Sequence, residues 1–350
     1  MVLSPNRFRP NAMCLAAIAT VAVFWIGALG QSNEAHAQVA TCAAPPMPVV
    51  ALDLKRYYAD RSGTIVDAKL KRAYEAETDS LRQYLRTVTR RADRAWTKTR
   101  RDERQAAARC GLLWLHQWAE GGALLGKMAT KQAEYRRKWE HTGLALAYLK
   151  LRPFATPDQH AAIANWLTRL ARASEQFQMA PGRKPNNHLY WLALGLGATA
   201  IATDNALMWA RTEAIVERAA QQIDANGALP LEMARGRRAL HYHVFALMPL
   251  VVLGELGFAR GRDWYALNGA AFHRLVGLTV EGIKTPATFD QLARRKQTRP
   301  INRRAGWAWI YAKRFPEAKL PATLTDKRRH RLLGGDVAVL VRVLERLSAR

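Results

Sequence analysis

Lys184-Pro185-Asn186-Asn187-His188-Leu189-Tyr190-Trp191 is the start of a helix written in residues. Pro185 disfavours helix before it, an asparagine can cap the first turn, and Trp191 with Leu192 opens an apolar stripe. Working outward in both directions, apolar residues recur at spacings of three and four over most of the chain, while alternating strand-like runs are scarce. The pattern predicts an all-α protein. Helices are expected over about 66–93, 103–126, 131–151, 157–178, 188–202, 205–224, 232–256, 262–280, 304–313 and 331–348, with breaks at Pro153, Pro181-Gly182, Gly227 to Pro230, Pro286 and Pro316. Helices in series give either a bundle or a toroid whose inner face forms a cleft, and periodicity does not choose between them.

The chain opens with Arg7 and Arg9, an apolar run from about Met13 to Leu29, and Ala35-His36-Ala37, the anatomy of a signal peptide spanning 1–37. The mature chain is expected to begin at Gln38, to reside in the periplasm or be secreted, and to carry no membrane segment. No Ser/Gly linker divides residues 38–350, so one domain is expected, as a monomer. Cys14 leaves with the signal, and the remaining Cys42 and Cys110 make an even count in an oxidising compartment, which favours a disulfide.

The formal net charge is +26 over 350 residues, with runs such as Lys98 to Arg104, Arg294 to Lys296 and Lys327 to Arg331. Such an excess attracts polyanions. Export argues against nucleic acid, and no nucleic-acid recognition motif accompanies the charge. Zinc-protease, serine-hydrolase and phosphate-loop motifs are absent from the sequence. His241 and His243, two residues apart on a helix, point about 200° apart and cannot share an ion without outside help, so neither metal nor cofactor is expected.

In the helix expected from 232, Arg235, Arg238 and Tyr242 fall at i, i+3 and i+7 and so share a side, setting fixed cations beside a phenol. The segment Asp53 to Val66, with Arg56-Tyr57-Tyr58, reads as a polar loop that is either a lid or ordinary surface. Trp114, Trp118, Tyr135, Trp139, Tyr190, Trp191, Trp307, Trp309 and Tyr311 are expected to lie mostly in the core, with a few serving as stacking platforms for sugar rings if the inner helix faces line a groove, and sequence does not divide the two groups.

These residues resemble the alginate lyases of polysaccharide lyase family 5. The family pattern Asn-Asn-His-x-Tyr-Trp is met at Asn186 to Trp191, and its acidic, arginine-rich segment ending in Tyr-His is met by Glu232 to His243. Weaker similarity runs through Cys110 to Trp114, Gly121 to Leu124, Arg137 to Trp139, Gly306 to Trp309 and Arg331 to Gly335. The resemblance implies an incomplete α/α toroid with a tunnel-like cleft, no required metal, and an acidic polysaccharide, polymannuronate, as substrate. Asn187 and Arg235 would neutralise the uronate carboxylate, acidifying H5. Tyr242 would move protons, alone or as the acid with His188 as base, its phenolate stabilised by Arg235. Arg56, Tyr57, Trp139, Asn186, Trp191 and Arg238 complete the expected substrate-binding set.

The departures concern the cleft's surroundings. Leu189 stands where the family has serine, Ala234-Arg235-Gly236-Arg237-Arg238 replaces a Lys-Arg-Gln-Gln-Arg run, the segment Arg294 to Arg299 is basic where the family is acidic, and Tyr311-Ala312 replaces Glu-Pro. They leave room for another polyuronate such as polyglucuronate, or for a non-catalytic polyanion-binding envelope protein.

Overall fold

The computed structural model describes residues 42–60, 63–300 and 305–349, all within the unit Ala40–Arg350. The segment 1–37, expected to be a signal peptide, lies outside them. Among the described residues fourteen α-helices follow one another, and the only ladder is a two-residue antiparallel pair, β1 (Arg329–His330) and β2 (Gly335–Asp336). The long helices are α2 (Asp79–Thr97), α3 (Arg101–Glu120), α4 (Lys131–Leu151), α5 (Pro157–Met179), α6 (Asn187–Thr203), α7 (Ala206–Gln221), α9 (Ala239–Phe258), α10 (Leu267–Lys284) and α14 (Val337–Ser348). Short α1 (Ala68–Glu77), α8 (Pro230–Met233), α11 (Pro286–Leu292), α12 (Trp307–Arg314) and α13 (Ala322–Thr325) join them.

α2, α4, α6 and α9 pack in a row as an inner layer, α3 lies on α5 and α7 on α10 outside, and α12 and α14 close against α9 and α4. This is the α/α toroid the resemblance implied. Burial follows the layering. Nearly every side chain of α6 and α9 is buried, as in helices enclosed on all sides, and α9 is apolar and long enough to cross a membrane yet sits at the centre of the protein.

The boundaries differ from expectation where local chemistry overrides the apolar period. The helix expected over 66–93 breaks at Thr78, whose hydroxyl donates to Tyr74 O, so α1 and α2 are separate. Residues 331–336 form a tight turn and a strand rather than the start of the last helix, and α14 begins only at Val337, capped by Asp336. That turn is held from below by Lys150. Its buried ammonium donates to Asp93 Oδ1 at 2.7 Å, Gly334 O at 2.8 Å and Asp336 O at 3.0 Å. Gly334 and Gly335 have φ of 76° and 101°, and a Cβ on Gly335 would lie 2.7 Å from the Asp93 carboxylate, so only glycine allows this approach.

Cys42 and Cys110 are joined, closing a span of 68 residues. From that bond the chain runs along the protein: Trp114 Nε1 donates to Ala43 O, Trp118 Nε1 to Pro46 O, and the backbone of Val49 to Leu52 pairs with Leu124 to Ala129. The track ends where the polar loop begins. Cys110→Ser should lower unfolding stability by about 4 kcal/mol in the chain-entropy account. Denaturant unfolding of the variant, and of the parent with and without reductant, checks this; an unchanged midpoint in both would contradict it.

Candidate active site

At the start of α6 the Asn186 side chain accepts from His188 N at 3.2 Å, fixing the first turn. Asn187 is fully buried, and its backbone N–H and side-chain Nδ2 both donate to Glu232 Oε1, at 2.7 and 2.8 Å. Glu232 is itself wholly buried in α8, and burial raises its carboxyl pKa against the pull of these two bonds. The carboxylate thus sets the angle of the Asn187 amide. His188 stacks on aromatics, its ring 3.8 Å from that of Tyr135 and 5.7 Å from that of Trp139. Burial and the nearby cations Lys138, Arg235 and Arg183 hold its pKa well below the ordinary imidazole value, so it is neutral near pH 7.

The helix expected from 232 is interrupted. α8 ends at Met233, Gly236 takes φ 53°, a tight 3₁₀ turn covers Gly236–Arg238, and α9 starts at Ala239. Arg235 therefore precedes the helix that carries Tyr242 instead of sharing its face. The two still meet, because the turn folds Arg235 back: its guanidinium carbon lies 3.8 Å from the centre of the Tyr242 ring, and that of Arg238 lies 5.0 Å away. The polar loop closes over them. Asp60 accepts from Thr64 N and Ile65 N, Ala59 N donates to Ile65 O, and Arg235 Nη2 reaches Gly63 O at 3.3 Å.

Tyr58 from this loop makes the contact with the phenol. Its hydroxyl is 3.1 Å from Tyr242 Oη and accepts from Arg238 Nη1 at 3.0 Å. Tyr57, the residue carried over from the resemblance, stacks instead on Tyr58 and Tyr74. Burial, with Tyr58 adding to it, pushes the Tyr242 pKa up against the opposing pull of Arg235 and Arg238. This reverses the expected net softening of Tyr242 by Arg235. Burial also opposes ionisation of Tyr58, but the Arg238 charge and the hydrogen bonds it shares with Tyr242, Tyr57 and Arg238 lower its pKa overall. The resting phenol at Tyr242 carries its proton, and its neighbour is the more acidic of the two.

Together these groups line a cleft of about 610 Å³ that also includes Arg56, Trp139 and Asn186. Its lining holds eight Lys or Arg side chains against one carboxylate, Glu75, which suits a polyanion and repels a cation. Several buried polar atoms on its walls have no protein partner: Trp139 Nε1, Asn187 Oδ1, His188 Nδ1, Arg235 Nε and Arg331 Nε. Trp191 is not on the wall. It is fully buried, packed against Phe245 at 5.1 Å, because the first turn of α6 points it into the core.

Sequence reasoning missed Glu232, Tyr58 and Tyr135 as parts of the site, and also Arg136 from α4 and Arg331 from the C-terminal turn. Tyr135, four residues before Trp139, was the one with a usable signal, since that spacing places both rings on one helix face.

His241 and His243 diverge as expected. His241 borders the cleft, while His243 accepts from Leu229 N at 3.0 Å and donates to Ala239 O at 2.8 Å, committing both nitrogens. Burial lowers the pKa of His243 to about 4 and that of the core residue His141 to about 3, from 6.5. Because the folded values lie below the unfolded one, their contribution is intact above pH 6.5 and is lost as pH falls towards 4. Unfolding stability should drop by roughly 5 kcal/mol over that interval from these two groups. Denaturant midpoints measured across the range, with His141→Gln and His243→Gln flattening the slope, check it.

The chain resembles solved structures of alginate lyase A1-III. It superposes on a variant complexed with tetrasaccharide with a TM-score of 0.74 at 22% identity, covering 85% of each chain, and on the enzyme from Sphingomonas species A1 with 0.71, covering 86% of each. At that identity the likeness establishes the α/α-toroid fold. The family model described as alginate lyase matches residues 51–289. Among curated relatives, a polysaccharide lyase of Stenotrophomonas maltophilia is 39% identical over 86% of this chain and 91% of its own, and an alginate lyase of Pseudomonas fluorescens is 31% identical over 85% and 83%. The chain belongs to the alginate lyase family.

Proposed function

We propose that this protein is a periplasmic, monomeric lyase that cleaves β-1,4-linked mannuronate by β-elimination, leaving 4,5-unsaturated uronate ends. Polysaccharide lyase activity of the alginate type goes with its family; the choice of mannuronate, the chemistry and the location are the proposal. What carries it is the meeting of Arg235 and Tyr242 at 3.8 Å beside Asn187, whose amide is oriented by Glu232.

Arg235 and the second N–H of the Asn187 amide would pair with the uronate carboxylate, drawing charge from C5 and making H5 easier to remove. Tyr242 would take that proton and return it to the departing C4 oxygen, which in mannuronate lies on the same side of the ring. A pKa raised by burial suits the donating step, while the abstracting step needs the phenolate, formed by release of the phenol proton to solvent and stabilised by Arg235 and Arg238. His188, neutral and stacked, can accept a hydrogen bond from a sugar hydroxyl or serve as the base in the alternative assignment. Arg56, Tyr57, Trp139, Asn186 and Arg238 would hold neighbouring sugars.

Polyglucuronate is the second substrate reading. It rests on the departure at the segment from Arg294, where Gln297 donates to Gly236 O and Thr298 N to Arg237 O beside the Arg235 turn, and not on charge, which is the same per sugar in both polymers. Incubation of the mature protein with defined polymannuronate, polyguluronate and polyglucuronate should give near-ultraviolet absorbance from unsaturated ends fastest on polymannuronate. Faster release from polyglucuronate would replace the substrate, and no release from any would end the enzymatic reading. Exported protein should begin at Gln38 when its N-terminus is sequenced.

A further inference from the structure

A second, larger hollow lies at the other end of the toroid. Its volume is about 790 Å³, and Trp96, Phe154, Arg104, Arg152, Arg260 and Arg346 are among its walls. The inner helices run between the two openings. α4 lines the catalytic cleft with Trp139 and this hollow with Leu149, about 15 Å further along; α9 goes from Tyr242 to Ala259, about 25 Å.

The hollow's only carboxylate, Asp204, is paired with Arg152, which also donates to Ile201 O at 3.0 Å. Arg104, Arg260 and Arg346 have no carboxylate within ion-pair distance among the described residues, although Arg104 donates to Thr99 O at 3.0 Å. Arg346 is held over the Trp96 ring at 4.8 Å, and that ring is fixed by its Nε1 donating to Lys150 O at 2.7 Å and by the edge of Phe154.

A plainer role for these cations is to offset the negative ends of helices terminating here. α2, α4, α6, α9 and α14 end at this side and α3, α5 and α7 begin, each end worth about half an elementary charge. That leaves a deficit of roughly one charge, while four guanidiniums against one carboxylate supply three. The surplus is positive and concave, and it has an aromatic floor.

We propose that this hollow is a second binding site for polyuronate chains, one that retains long polymer while the catalytic cleft works on another part of the same or a neighbouring chain. The ligand class rests on the substrate reading above. Guanidiniums spaced around an aromatic floor match carboxylates repeated along a sugar backbone, and engagement at two sites raises avidity for long chains without changing contacts at the cleft.

The test uses full-length mature protein carrying Tyr242→Phe, so that bound polymer is not consumed, and affinity electrophoresis through gels containing long polymannuronate. The triple variant Arg104→Gln, Arg260→Gln, Arg346→Gln is compared with a charge-matched control, Arg169→Gln, Arg172→Gln, Arg218→Gln, at exposed positions in neither cavity. The first triple should weaken retention by long polymer at least about tenfold and the control far less, while both leave kcat/KM on a tetrasaccharide unchanged in the Tyr242 enzyme. Equal loss in both triples, or no loss in the first, would overturn the second site. Failure of the parent to bind polymannuronate at all would instead overturn the substrate reading and this proposal with it. Unsaturated ends formed by the Tyr242→Phe parent would count only against the proton-transfer assignment.

Discussion

Tyr242→Phe should abolish measurable elimination while leaving polymer binding close to that of the parent, with kcat falling by about 10³-fold or more, the range expected for loss of a group that moves a proton in the transition state. The ring stays, and with it the packing under Arg235 at 3.8 Å and Arg238 at 5.0 Å. Only the hydroxyl goes, and with it the contacts to Tyr58 and Gly63 O. The measurement is initial rate by absorbance of unsaturated ends, alongside equilibrium binding of the same polymer. Full activity in this variant would transfer proton abstraction to another group, His188 being next in line. Tyr58→Phe offers a useful contrast. It removes a neighbour and not the reacting group, so a smaller loss with a shifted pH profile is expected.

The second large effect is that of Arg235→Ala. Here both kcat and KM should suffer, kcat by about 10²–10³-fold, because the guanidinium would bind the carboxylate in the ground state and stabilise the charge that gathers there as H5 leaves. Loss of the cation also removes one of the two charges that pull the Tyr242 pKa down, so residual activity should shift to higher pH. Arg235→Lys would restore some of the charge but not the flat face resting on the phenol ring. A variant that binds polymer weakly yet turns over at the parental rate when saturated would show that Arg235 only anchors substrate.

The all-α character and the toroid were legible because apolar spacing and the Asn-Asn-His and Arg-to-Tyr motifs both survive in primary sequence. Helix counting through 232–243 was less secure. Gly236 was read as a helical residue, yet at φ 53° it ends one helix and lets the next begin. The grouping of Arg235 with Tyr242 was right in outcome and wrong in geometry.

Tyr58 and Tyr57 are adjacent and alike, and which of them reaches Tyr242 depends on the path of the loop, which the bonds to Asp60 and the Gly63 turn determine. Glu232 could not be distinguished from a solvent-facing acid, since its burial follows from how α8 docks beside α6. Trp191 shows the reverse error: an aromatic next to the Asn-Asn-His motif is equally well explained by core packing, and here the core has it.

Lys150 has one more consequence, for the order in which the protein can be made. Its ammonium is buried with partners 57 residues upstream and as far as 186 downstream, and Asp93 also receives Asp336 N across 243 residues. Asp93 is made before Lys150, but the Gly334 and Asp336 carbonyls that complete the ammonium's partners exist only once almost the last helix has been synthesised. Contacts of such separation form late and slowly. The inner layer therefore gains its last buried partners only when nearly the whole chain has been made.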